Sequence, residues 1–595
     1  MSLNDNATSL VDLFESNAAE FEKKLALRID RDGSVQSWTW YAVWQEINYT
    51  AQLFCNIGLQ PQCKVGIWAA NSPEWCFSDV ASMLLGAVSV PIYTTLAPEE
   101  IVYILNHSQS RLLVVDDIEK LEKIDSVLHQ CEQVWAIVLL RGDYKIKNPQ
   151  AKQKVYKWNE RPNQFADKFK SINRGGDSAA TIIYTSGTTG RAKGVVLTHA
   201  NFLHNVQEVC KGLPIHTSDK HLSFLPLCHV FERMCGYYLM AYVGADISYA
   251  SSIETVIDDA KKYEPTFLLA VPRFYEKVFN GIKLKIGAAP NWKKALFAWS
   301  LNIGGQIADC KLGNKPVSIS LKVKHFIAHV LIFKKIRALF GGHLRFGVSG
   351  GAPLDADIGD FFKSIGLLIL EGYGLTETSP VIAMNRINAY RFGTVGLPLE
   401  GVDVKIGVND EILTKSESVM QGYYHNDDAT KLAIEDGWFH TGDQGRIDED
   451  GFLVITGRIK EIIVLSGGKK MCPVRIEVLM EKSDCITKCV LYGDGKNFLT
   501  ALILPDFDYF LKLYGINSAD DKSRQDILSN KETRTIIQNA IDEIHKDIAP
   551  FEQIKYFEFI ERDFTIEDGE LTPTLKLKRN VVADKYGSLL DQHYE

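Results

Sequence analysis

Between Tyr184 and His199 the chain reads YTSGTTGRAKGVVLTH. Hydroxyls at Thr185, Ser186, Thr188 and Thr189 are interleaved with Gly187 and Gly190, and Arg191 and Lys193 follow. Glycines let a backbone turn through positive φ and approach a guest closely, while hydroxyls and successive N–H groups converge on it. The cations at the exit add charge-assisted contacts. This chemistry suits the grip of an oligophosphate. The loop is not a Walker A loop, which needs Lys followed directly by Ser or Thr after its second glycine, whereas Arg191 follows Gly190 here. Taken alone, the same composition also describes a flexible Ser/Thr/Gly turn.

Other residues extend the set. VSGGAPL (348–354) and EGYGLTETSP (371–380) are glycine turns. Their glycines would let a flat base lie on the backbone, with Tyr373 as a stacking face, although purely structural turns read the same way. Glu377 offers the carboxylate oxygen that a hard cation such as Mg²⁺ prefers. His229 follows an apolar run ending at Pro226, and a lone histidine in such surroundings is usually structural. Cys485 and Cys489 have no second pair or His couple beside them, which argues against zinc.

These residues need strands and helices to hold them. The β-branched run Thr181–Ile183 and the run Val195–Leu197 read as two buried strands flanking the hydroxyl loop. Leu10, Leu13, Phe14, Ala18 and Phe21 predict an amphipathic helix, Ala26–Ile29 a strand, and Trp38, Thr39 and Trp40 the opening of a second helix. Val65–Trp68 and Leu112–Val115 read as strands, residues 71–75 as a helix start, and Val80–Tyr93 as a buried helix followed by a strand. That alternation predicts a parallel, doubly wound sheet. At 595 residues two or three domains are expected, and 46% apolar with 24% charged residues is ordinary for a globular protein. Eleven scattered cysteines fit a reducing cytoplasm, and the amino terminus has neither the basic nor the apolar stretch of a secretion signal.

The sixteen-residue run, the two glycine turns, DGWFHTGDQGRIDEDGFLVITGRIKE (436–461) and LTPTLKLKRNVV (571–582) together resemble the signatures of AMP-forming acyl- and aryl-CoA synthetases, across about residues 9–586. The resemblance implies an α/β fold. A large N-terminal adenylation domain (1–459) would combine doubly wound sheets with a small barrel-like subdomain, followed by a small mobile α+β domain (460–595). It implies that Thr185, Ser186, Gly187, Thr188, Thr189 and Lys193 hold the phosphates of ATP. Gly350, Gly351, Ala352, Gly372, Tyr373, Gly374, Leu375 and Thr376 would form the adenine slot. Asp443 would accept from the ribose, Arg458 would contact ribose or phosphate, and Glu377 with Thr185 would hold Mg²⁺. His229 would orient the acid at the mouth of an acyl pocket whose walls include Gly236 and Tyr237. Lys460 takes the hinge position, Gly467, Gly468 and Lys469 the loop presented to CoA, and Lys576, aligned on Arg579, the catalytic position, with Lys578 as runner-up. ITGR stands where IxDR is more frequent, and Lys470 and Cys472 depart from the common CoA loop.

Residues 282–341 carry eleven Lys or Arg against Asp309 alone, +10 in a chain of −8. Insertions of this kind, between VPR (271–273) and SGGAPL, resemble the long-chain branch of the family. The segment suits either an anionic membrane surface or a solvated face near bound phosphates. The expected reaction joins a long-chain fatty acid to CoA through acyl-AMP, with ATP and Mg²⁺. The alternatives are a medium-chain or aryl acid ligase, a fatty acyl-AMP ligase serving a carrier protein, and a membrane-associated fatty-acid uptake factor. Nucleic-acid binding is disfavoured, since no recognition motif accompanies the charge. The expected location is cytoplasmic or peripheral on the inner face of a membrane; the oligomeric state stays open, a homodimer included.

Overall fold

The computed structural model describes residues 4–162, 175–185, 191–516, 520–546, 548–565, 568–572 and 576–594. Ser186, Gly187, Thr188 and Thr189 lie outside the described residues.

The run of β-branched residues ending at Thr185 and the run after Lys193 form antiparallel strands, Ala179–Thr185 and Lys193–Thr198, with Thr185 directly opposite Lys193. They belong to an eight-stranded sheet whose other long pairings, Val88–Pro91, Lys64–Trp68, Ser110–Val115, Ala136–Leu139 and Lys154–Lys157, are parallel. A nine-stranded sheet lies beside it. Its parallel centre holds Asp246–Tyr249, Lys220–Ser223, Phe267–Ala270, Phe346–Gly350 and Leu368–Gly374. A five-stranded antiparallel sheet follows, including Trp438–Ile447 and Leu453–Arg458. The architecture is mixed α/β, with doubly wound sheets in the large part. Beyond residue 460 a separate core forms around the three strands Ile486–Tyr492, Leu499–Pro505 and Ile554–Phe559.

The helix Pro73–Leu84 is buried along its whole length. Pro73 starts it and Ser72 Oγ accepts from the Trp75 N–H at 3.3 Å, which caps the free amino end. On it Asp79 faces Arg233, and neither side chain reaches solvent. Arg233 also donates to Tyr238 Oη (2.9 Å), Thr181 Oγ1 (2.8 Å) and Ser89 Oγ (2.7 Å), while Tyr238 donates to Asp79 at 2.7 Å. Helix, sheet and the wide π-type turn Glu232–Tyr238 are thus tied by one satisfied charge network.

One sequence expectation is corrected. Trp38 and Thr39 do not open the second helix; they end a strand, Ser34–Thr39, and the helix starts at Trp40 with Thr39 as its cap. Asp32 and Gly33, at φ 52° and 82°, make the Asp-Gly hairpin turn that inserts this strand.

Asp79→Ala should leave the Arg233 guanidinium buried without its counter-charge and cost about 3–5 kcal/mol. Thermal unfolding will register this as a lower apparent midpoint. Replacing the pair together by Asp79→Leu and Arg233→Met should cost much less, and an equal loss in both variants would refute the network.

Candidate active site

A cavity of about 1820 Å³ opens where both large sheets, the five-stranded sheet and the carboxy-terminal part meet. Its wall includes Thr185, Lys193, His229, Gly350, Gly351, Gly372, Tyr373, Gly374, Leu375, Thr376, Glu377, Arg458, Lys460 and Lys576. Asp443 sits just behind it, in contact with Tyr373 and Arg458. Residues from six stretches of sequence are therefore brought together. Ala352, Gly467, Gly468 and Lys469 lie off this wall; Lys469 instead reaches over the Phe551 ring at 5.8 Å. Gly236 and Tyr237 lie off it too. Tyr237 is packed in the core, and a Cβ at Gly236 would meet Glu232 at 2.4 Å and His221 at 2.7 Å.

Local structure fixes each group. Asp443 and Arg458 are direct partners across adjacent antiparallel strands, and Arg458 Nε donates to Asp443 Oδ1 at 2.6 Å. Tyr373, at the end of Leu368–Gly374, donates its hydroxyl to Asp443 Oδ2 at 2.7 Å. Gly374 can only be glycine, because a Cβ there would fall 1.7 Å from the Pro380 carbonyl. Glu377 accepts from the Tyr423 hydroxyl at 2.9 Å, and Lys193 Nζ stands 4.7 Å from the centre of the same Tyr423 ring.

His229 Nδ1 accepts from the Phe231 N–H at 3.3 Å, so the neutral ring carries its proton on Nε2. Burial pushes its pKa down to about 4, helped by the Lys576 ammonium. Past His229 the cavity turns apolar, walled by Leu213, Cys235, Leu239, Phe267, Leu269 and Val348.

Lys576 rides on a short hairpin. Its N–H donates to Thr572 Oγ1 at 3.0 Å, Thr572 N–H donates back to the Lys576 carbonyl at 2.8 Å, and Lys578 N–H donates to the Glu570 carbonyl at 2.8 Å. The side chain is exposed to the cavity yet enclosed by both parts of the protein. Desolvation there lowers its pKa and the Arg458 charge adds to this, against the opposing pull of Asp443, Glu461 and Glu377. Glu570, fully buried, anchors the hairpin: it accepts from Arg562 (2.8 Å), Lys585 (2.8 Å), Tyr586 (3.0 Å) and the Thr565 N–H (3.0 Å). Burial raises its pKa, but these donors outweigh burial and hold it at about 2. Arg579 clamps Glu477 with bonds of 2.7 and 2.5 Å.

Sequence reasoning missed Tyr423, which no local motif marks, and Glu570, which reads as one more surface acid. It also missed His440, on the cavity wall with its Nδ1 2.9 Å from Glu411.

Among the described residues no three His, Cys, Asp or Glu side chains converge as a metal cage. Glu377, with its second carboxylate oxygen turned to no protein donor among the described residues, and the Thr185 hydroxyl fit an Mg²⁺ carried in by phosphates, which keeps waters and needs few protein ligands.

The fold and the cavity, with a carboxylate set against a cross-strand arginine, a glycine-lined slot and a lysine from a separate core, define a two-part α/β protein built around a nucleotide-sized cleft. Residues 14–424 match the AMP-binding enzyme model and residues 460–595 the AMP-binding enzyme C-terminal domain, so the chain belongs to the AMP-binding enzyme family. It is 34% identical over 558 residues to the long-chain-fatty-acid–CoA ligase FadD15 of Mycobacterium bovis, covering 92% of this chain and 91% of that protein. It is 30% identical to the chloroplastic long-chain-fatty-acid–[acyl-carrier-protein] ligase AEE15 of Arabidopsis thaliana, over 98% of this chain and 86% of the relative. In fold it is similar to the anthranilate CoA ligase AuaEII in complex with anthranoyl-AMP, with a TM-score of 0.75 at 21% identity over the full length of both chains.

Two measurements check this site. The His229 imidazole should stay neutral from pH 8 to about pH 5 in an NMR titration, since its pKa lies near 4; titration at 6.5 would contradict its enclosure. Because the folded pKa of Glu570 lies below its ordinary 4.5, its stabilisation is complete above that pH and lost as pH falls toward 2. The stability gap between the wild type and Glu570→Gln should therefore be widest near neutrality and shrink below pH 4.5; a constant gap would show that the charge plays no part.

Proposed function

We propose that this protein activates a long-chain fatty acid with ATP and transfers the acyl group to CoA. One observation carries the reading: Lys576, from the carboxy-terminal core, reaches the cavity that also holds His229, Glu377 and the Tyr373–Asp443–Arg458 group. A carboxylate resists thiol attack because its carbonyl is electron-rich and oxide is a poor leaving group. Attack of its oxygen on the α-phosphorus of ATP would form acyl-AMP and expel pyrophosphate. CoA sulfur would then take the acyl carbon, with AMP leaving.

Phosphoryl transfer asks a protein mainly for positioning and charge neutralisation. The Nε2–H of His229 is placed to hold the carboxylate, and the apolar limb behind it accepts the tail. Lys193 and the hydroxyl loop meet the outer phosphates. Tyr373 with Gly350, Gly351, Gly372 and Gly374 takes the base, and Asp443 takes the ribose. Lys576 offsets charge building between acid and α-phosphate. Glu377 and Thr185 would hold an Mg²⁺ ion, which would supply further neutralisation of phosphate charge. The loop Gly467–Lys469 lies away from the cavity while Lys576 occupies it; rotation about Lys460 would exchange them for the thiol step. In this reading the basic segment 282–341 keeps the protein near an anionic membrane, where its apolar substrate partitions. A carrier-protein thiol in place of CoA is the second reading, carried by the name of the Arabidopsis relative; AMP release that needs CoA separates the two.

Lys576→Ala should lower ATP–pyrophosphate exchange with palmitate by about 10²–10³-fold, the scale of losing one preorganised charge-stabilising group. It should still convert supplied palmitoyl-AMP to palmitoyl-CoA. Equal loss of both half-reactions would remove Lys576 from the role, and no exchange by the wild type with any fatty acid would overturn the activity.

A further inference from the structure

The basic segment folds into helices Pro272–Gly287, Asn291–Leu312 and Ile319–Ala328, the last continuing through a wide turn, His329–Phe333, into Lys334–Arg337. Along this last rod Ile319, Val323, Phe326, Ile327, Val330 and Leu331 recur at i, i+4, i+7, i+8, i+11 and i+12, which places them on one helical face. Such a stripe ordinarily packs on a core. Here every member is exposed, Ile319 by 80% and Phe326 by 68%, while Ala328, Phe333, Ile336 and Phe340 make the buried side. Trp292 is also 64% exposed.

Cations flank the stripe on the rod and recur on the helices before it. Lys322, Lys324, Lys334 and Lys335 lie on the same rod, and Lys283, Lys285, Lys293 and Lys294 on the two helices before it. Among the described residues none of the eight pairs with a carboxylate within 4.0 Å. An exposed apolar stripe rimmed by unpaired lysines demands a partner that is apolar inside and anionic at its surface. A second copy answers only the first demand, since two such faces, each drawn from a segment of net +10, repel. No helix among the described residues is long and apolar enough to cross a membrane, so a bilayer partner would be met along the rod's face rather than crossed.

We infer that the rod Ile319–Arg337 docks this protein on an anionic lipid surface, with its apolar stripe seated in the headgroup region and the surrounding lysines on lipid phosphates. The inference deepens the membrane contact in the proposed function, and its test needs no substrate.

Full-length protein should sediment with phosphatidylcholine vesicles containing phosphatidylglycerol and remain in solution with phosphatidylcholine alone. Phe326→Glu with Val330→Glu should abolish sedimentation. Lys322→Gln with Lys324→Gln should weaken it by about fivefold per lysine. Both variants should keep the wild-type melting midpoint and pyrophosphate exchange with a short, soluble acid, so failure of the ligase reading would show separately. Equal binding to neutral vesicles, or unchanged binding by both variants, overturns the proposal. So does a wild-type dimer that Phe326→Glu converts to monomer, which would give the stripe to a second copy.

Discussion

The geometry of the cavity depends on one buried carboxylate and the two groups that satisfy it. Asp443 is nearly excluded from solvent, and a charge so placed persists only with close partners. Tyr373 reaches it from the last strand of the nine-stranded sheet's parallel region, and Arg458 from the neighbouring antiparallel strand. One acid thereby joins two sheets that, among the described residues, share no ladder of backbone hydrogen bonds. Arg458 stands two residues before Lys460, so the same ion pair fixes the point from which the chain departs for its second core. The electrostatic surroundings of Lys576 follow from it as well, since Arg458 and Asp443 act on that ammonium with opposite sign.

A second satisfied acid performs the matching task across the cavity. Glu570 gathers an arginine, a lysine, a tyrosine and a backbone N–H around the base of the lysine hairpin. Among the described residues Lys576 hydrogen-bonds through its backbone to Thr572, so its root stays fixed while its side chain keeps its reach. Separating a rigid root from a free tip suits a group that meets charge appearing only during reaction.

The fold was legible wherever local pattern and tertiary role coincide. The strands around Thr185 and Lys193 announced themselves by β-branched runs, and the glycine turns by spacing. Asp443, Arg458 and Lys576 were legible through family signatures, which carry information that periodicity does not. What stayed hidden was relational. Tyr423 gains its place only because its short strand pairs with Lys193–Thr198 and brings its hydroxyl to an acid far back in the chain. The acyl wall shows the same limit more sharply. Gly236 and Tyr237 are neighbours in sequence, but helical geometry brings together positions four apart, and Cys235 and Leu239 line the cavity instead. The hairpin at Asp32–Gly33 was written in the sequence as a turn dipeptide and passed over because the aromatic residues beyond it resembled a helix start.

Among the described residues the side-chain ion pairs that span the two cores are few and lie at the rim. Arg273 meets Asp563 at 3.1 Å, and Lys482 meets Asp355 at 2.6 Å and Asp357 at 3.7 Å, all with solvent access on at least one partner. Exposed pairs of this kind are worth about 0–1 kcal/mol each and fade with salt. The strong pairs, Arg233 with Asp79, Arg458 with Asp443 and Arg579 with Glu477, each lie within one core or the other. Ion pairing is thus concentrated inside the lobes and sparse between them among the described residues, so the electrostatic part of their junction is the part that dissolved salt can loosen without disturbing either interior.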